Sequence, residues 1–119
     1  MSIAELLLET ADSDRDLLRS NLNLGDKPEL PREIDFVLYA TDEARARLVC
    51  DFITDNSYGR PSYEAITRDD GSRPWRLLVT INAPATPEVA CALSGFMACL
   101  SKIYELDYDG WGCVIRREA

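Results

Sequence analysis

The side chains of this sequence best suited to making or breaking bonds are four cysteines, at positions 50, 91, 99 and 113, and carboxylates drawn from 21 acidic residues. Neither set has an organising partner. A cysteine nucleophile needs a base to take its proton, most often histidine, and the sequence contains no histidine. Structural zinc needs closely spaced thiolates or imidazoles, and no C-x-x-C pair occurs. No glycine-rich loop is present to cradle a phosphate. Asp69 and Asp70 precede Gly71, where an aspartate side chain hydrogen-bonds its own backbone in a turn. Arg47 and Asp51 have the spacing of an exposed intrahelical pair, worth at most about 0.5 kcal/mol. These patterns predict a protein that is not an enzyme and that holds no metal or cofactor. The four thiols are expected to be free and largely buried, as small apolar side chains in a reducing compartment.

What remains is the chemistry of contact. Near the end of the sequence, Trp111 stands between Gly110 and Gly112, directly after a strongly apolar helix pattern. It has two readings. The first is a core tryptophan whose glycines permit a bulge or close packing. The second is an anchor in a protein interface, where tryptophan is enriched. Asp107 and Asp109 lie two apart on the expected last strand, hence on one side of it, and form a candidate acidic contact pair. Tyr39 shares a side of the first strand with Asp35 and Val37, opposite Phe36 and Leu38. Asp107, Asp109, Trp111 and Tyr39 are therefore the candidate protein-binding residues. If helices cover one side of the sheet, a row of Tyr39 with Trp75 or Trp111 lines the other. RNA readers of similar topology stack bases on such a row, but Trp75-Arg76-Leu77-Leu78-Val79-Thr80 lacks their basic, glycine and aromatic signature.

Charge points the same way. Thirteen basic residues against 21 acidic ones leave a formal charge of -8 and a pI near 4.5. Such a surface repels nucleic acid and attracts a basic or mixed-charge protein. No apolar stretch reaches the roughly 18 residues of a membrane span, and no secretory signal pattern is seen at the start. A cytoplasmic protein without membrane contact is expected. At 119 residues, one core is expected.

The elements that would position these residues follow from periodicity and caps. Ser2-Ile3-Ala4-Glu5 is a capping box, and Ser13-Asp14-Arg15-Asp16 offers a second, so residues 3–23 read as helical with a break near Asp12. Residues 1–24 form an N-terminal helical segment, 25–32 a linker with Pro28 and Pro31, and 33–119 the main domain. Within it, 33–40 reads as a central strand buried on both faces. Thr41 caps a helix to Asn56 with a stripe of Ala44, Leu48, Phe52, Val49 and Ile53. Residues 61–68 read as a polar edge strand, and a turn at Asp70-Gly71 leads to a strand over 75–82. Thr86 and Pro87 start the last helix, whose apolar face carries Val89, Leu93, Phe96, Met97, Leu100, Ile103 and Tyr104. Residues 108–116 form the final strand.

This order predicts an α+β, ferredoxin-like split β-α-β sandwich: a four-stranded antiparallel sheet in the order fourth, first, third, second, with two helices on one face and the N-terminal helix in addition. From Val89 to Ser101 the last helix has no charged residue, and one of its faces reads Cys91, Ser94, Gly95, Ala98, Cys99. Something must cover that face, and the leucine-bearing N-terminal helix is favoured over a second protein.

The element order, the N-terminal helix, the proline-containing linker and above all Asp107-Tyr108-Asp109-Gly110-Trp111-Gly112 resemble the bacterial regulator of ribonuclease E activity B family. The resemblance implies a small acidic cytoplasmic protein of ferredoxin-like fold. It also implies a function in RNA turnover, in which the protein binds an endoribonuclease and lowers its activity without doing chemistry. The family's best-known members extend past the last strand into an acidic tail, whereas Arg116, Arg117, Glu118 and Ala119 stand here, which bears on any function requiring that tail. The rival expectation, independent of the resemblance, is a ferredoxin-like domain that pairs as a homodimer and senses a small molecule between subunits.

Overall fold

The computed structural model describes residues 1–117. Its elements are α1 (Ile3–Asn23), β1 (Pro31–Ala40), α2 (Glu43–Asp55), β2 (Arg60–Ala65), β3 (Trp75–Pro84), α3 (Pro87–Tyr104) and β4 (Asp107–Cys113). The four strands form one antiparallel sheet in the order β2-β3-β1-β4. This is the expected α+β, ferredoxin-like arrangement, with the polar strand at one edge.

β1 shows how the sheet divides its two sides. Arg32, Ile34, Phe36, Leu38 and Ala40 are buried, whereas Glu33 is exposed and Asp35, Val37 and Tyr39 are half-buried. The strand is thus not enclosed on both faces, as its apolar run had suggested. Ile34, Phe36 and Leu38 meet Leu77 and Val79 of β3 under the helices, all without exposure. Each such side chain contributes about 1.5–3 kcal/mol by leaving water. Val37 and Tyr39 lie on the other side, screened only by their neighbours along the sheet.

Asp42, not Thr41, caps α2, its carboxylate accepting a hydrogen bond from the Arg45 backbone N–H at 2.7 Å. The buried stripe of α2 is Ala46, Val49, Cys50 and Ile53, and the Ala44/Leu48 row faces outward, leaving Leu48 55 % exposed. Ala46 on the inner row lets the helix sit close to the sheet. Arg47 pairs with Glu43 at 3.1 Å and not with Asp51, in keeping with the preference for an acid one turn N-terminal to its base. In α3, Pro87 stands at the first turn as expected, but Thr86 makes no cap bond and its Oγ1 is buried without a partner. Met97 and Leu100 reach the core, while Ile103 lies outside it at 72 % exposure.

α1 is unbroken. Ser2 and Glu5 form the capping box, at 3.1 and 3.3 Å, and the helix passes through Ser13–Asp16 without restarting. It runs antiparallel along the small-residue face of α3. Lys102 Nζ donates to the Met1 carbonyl at 2.6 Å, Asp14 bonds Ser94, and a Cβ placed on Gly95 would meet Leu7 at 3.8 Å. Ser94 and Ala98 are fully buried beneath it. The uncharged face of α3 is therefore covered from within the chain.

The segment between α1 and β1 is tied down at its centre by a charge. Arg32 pairs with Asp26, both side chains being 1 % exposed, and its guanidinium also donates to the carbonyls of Lys27, Leu30 and Val114. β1 begins at Pro31, earlier than expected, so that Arg32 is its first inward residue. β4 ends at Cys113, earlier than expected, because residues 114–117 leave the sheet to run beside this segment. Lys27 N–H donates to the Arg116 carbonyl at 2.7 Å, Arg116 N–H to Asp26 at 2.8 Å, and Arg117 Nε to the Leu24 carbonyl at 2.8 Å.

Candidate protein-binding face

With α2 and α3 on one side, the other side of the sheet is open. β1 contributes Glu33, Asp35, Val37 and Tyr39, β3 contributes Arg76, Leu78 and Thr80, and their register partners on β2 are Arg60, Ser62 and Glu64. Cross-strand pairs dominate it: Arg60 with Glu33, Arg76 with Glu64, and Thr80 Oγ1 donating to Asp35 at 2.6 Å. The two exposed ion pairs are worth roughly 0–1 kcal/mol each, so they shape the surface more than they stabilise the fold. A shallow basin of about 500 Å³ lies among Val37, Tyr39, Ser62, Glu64, Arg76, Leu78 and Asp109. A smaller one of about 200 Å³ adjoins it between Tyr39, Arg68, Arg73 and Asp107. The Arg68 guanidinium stacks 4.7 Å from the centre of the Tyr39 ring. Asp107 and Asp109 are exposed, and no ion pair among the described residues includes either.

The four candidate residues separate here. Tyr39, Asp107 and Asp109 border the open side; Trp111 does not. Between Val37 and Leu38 the β1–β4 register slips: Val37 faces Gly110, yet Leu38 faces Tyr108. Asp109 is the extra residue of a β-bulge, and Gly110 takes the positive φ, +98°, that the bulge requires. Simple alternation would place Tyr108 and Trp111 on opposite sides. The slip turns both toward the helices, and Trp111, opposite Phe36, is 8 % exposed. Trp75 is likewise on the covered side, edge-on to Tyr63 at 5.7 Å. Of the row Tyr39, Trp75 and Trp111, only Tyr39 lies on the open side.

The bulge brings together a buried polar group that sequence reasoning missed. Trp111 Nε1 donates to Asp14 Oδ1 at 2.9 Å, Ser94 Oγ donates to the same oxygen at 3.0 Å, and Ser94 Oγ shares a hydrogen bond with the Tyr108 hydroxyl at 2.7 Å. α1, α3 and β4 are joined through one carboxylate. Burial pushes the Asp14 pKa up, opposed by the Trp111 and Ser94 hydrogen bonds, and pushes the Tyr108 hydroxyl up as well. The available signal was a serine on the uncharged face of α3 and an aspartate within the leucine-bearing helix, which read instead as part of a cap. Burial raises three of the thiols: Cys50, the buried one, is pushed up to about 11, and the half-buried Cys91 and Cys113 are raised. All four cysteines are free.

The family model described as regulator of ribonuclease activity B matches residues 11–113, from the middle of α1 to the end of β4. The chain belongs to that family. The match takes in Asp14, the bulge and Trp111, so the arrangement of α1, α3 and β4 lies within the matched region. No curated protein matches this chain. Membership in the regulator of ribonuclease activity B family implies a part in regulating ribonuclease activity. Among the described residues, no helix is long and apolar enough to cross a membrane.

Proposed function

We propose that the protein regulates a ribonuclease of the endoribonuclease E kind by binding it in the cytoplasm, through the open side of the sheet around Tyr39, Asp107 and Asp109, without doing chemistry itself. The observation that carries this reading is the open basin with two exposed carboxylates at its rim that no cation in the described chain takes up. Opposite charge would guide a basic segment of the enzyme to it. Tyr39 supplies an apolar ring with a polar tip, with the Arg68 guanidinium over the ring. Direct RNA binding is not part of the proposal, since the open side presents one aromatic of the expected row and its strand arginines, Arg60 and Arg76, are paired with Glu33 and Glu64. Calorimetric titration of the purified ribonuclease tests it. The unaltered protein should bind with affinity that falls as salt rises, and the combined Tyr39→Ala, Asp107→Asn, Asp109→Asn variant should bind at least about tenfold more weakly, a loss of about 1.4 kcal/mol. Equal affinity for both would refute the assignment of the face.

A further inference from the structure

Around the β4 edge from the open side lies a third concavity, a cleft of about 180 Å³, bounded by Glu9, Thr10, Ser13 and Asp14 of α1 and by Tyr108 and Asp109 at the bulge. Its floor is unusual. Asp14 is 3 % exposed, yet no ion pair among the described residues includes it. The nearest base along α1, Arg15, turns to Asp12 and stays largely exposed. Both hydrogen bonds that Asp14 accepts end on Oδ1, so Oδ2 has no protein partner among the described residues. A buried carboxylate without a cation is costly, which the upward push on its pKa reflects, and a cation brought from outside would relieve it. Glu9 and Asp109 add negative charge at the mouth, and Thr10 and Ser13 add hydroxyl acceptors.

We propose that this cleft is a socket for an arginine side chain of the protein partner, with the guanidinium seated against Asp14 and flanked by Glu9 and Asp109. The volume is that of roughly six water molecules, room for a planar fork and part of its stem. Guanidinium suits the site better than ammonium because it is more weakly hydrated and can donate to two acceptors at once. Asp109 borders both this cleft and the open basin, so one partner can engage both. The inference rests on the protein-binding reading only in taking the arginine from a protein.

Titration with Nα-acetyl-arginine amide tests the socket with no partner present. The reporter is the Trp111 indole N–H resonance, distinguished from that of Trp75 by a Trp75→Phe variant, because that proton is bonded to Asp14. The resonance should shift saturably with the arginine amide, less with the lysine amide, and not with the uncharged citrulline amide. A Glu9→Gln, Asp109→Asn variant, altered only at the mouth, should keep its starting spectrum and bind at least about fivefold more weakly; Asp14→Asn should abolish the response. An indole signal that stays still, moves equally with citrulline or lysine amide, or responds unchanged in the mouth variant would overturn the proposal. Any of these would leave ribonuclease binding through the open sheet intact, and loss of ribonuclease binding would leave the socket result intact.

Discussion

At the scale of single residues, the two glycines beside Trp111 look equivalent in the sequence and are not. Gly110 holds a φ of +98° in the bulge, while Gly112 needs no positive φ and has nothing within 4 Å of a prospective Cβ. Gly110→Ala is therefore expected to cost about 1–3 kcal/mol, and Gly112→Ala to leave stability within about 1 kcal/mol of the original, as measured by urea unfolding. Asp14 makes a second prediction. Its pKa in the folded protein is raised above the ordinary 3.8, so the folded state holds its proton more tightly than the unfolded chain does. The resulting stabilisation is fully present below 3.8 and is lost as pH rises through the raised value. Asparagine keeps an acceptor for Trp111 and Ser94 but does not titrate. The stability of the original protein relative to Asp14→Asn should thus fall as pH rises across that window, and a difference independent of pH would contradict the burial argument. A core Trp111 with a bulge permitted by its glycines is one of the two sequence readings, and it is the one found. The bulge's position and the Asp14 group were not legible, because one slipped residue reverses the facing of all that follow it, and alternation alone does not locate a slip.

At the scale of elements, the order and nature of α1 to β4 could be read from alternation, caps and prolines, since these are local features. The covering of α3 by α1 could also be inferred, because an uncharged, small-residue helix face does not remain in water. What depended on distant partners was not readable. β1 looked buried on both sides because Val37 and Tyr39 are apolar, yet what lies over them is decided by where the helices fall. On α2, Val49 and Ile53 are buried as expected, but the sequence reading sets Leu48 inward in place of Ala46 because it outweighs it in hydrophobicity, although the small side chain is the one that permits close approach. The joint between α1 and the sheet likewise rests on a long-range contact, the buried Arg32–Asp26 pair. Arg32→Met would strand Asp26 in the interior and should cost about 3–5 kcal/mol, whereas Arg32→Met combined with Asp26→Leu should recover much of that loss, again by urea unfolding. A double variant as unstable as the single one would show that the carbonyls of Lys27, Leu30 and Val114 matter more than the ion pair.

At the scale of the whole molecule, the fold keeps two kinds of surface apart. α1, α2 and α3 consume the apolar side of the sheet, and the bulge sends Tyr108 and Trp111 inward, leaving an open side of polar and charged groups of both signs with Asp107 and Asp109 at its rim. The family match places the chain among regulators of ribonuclease activity, and the partner surface proposed for it is that open side. The most direct test measures cleavage of a defined RNA by purified ribonuclease with and without this protein. The unaltered protein should slow cleavage in proportion to its occupancy of the enzyme, and the Tyr39→Ala, Asp107→Asn, Asp109→Asn variant, still folded, should need at least about tenfold more to do so. Cleavage that is unaffected by the protein, or equally slowed by the variant, would contradict the account.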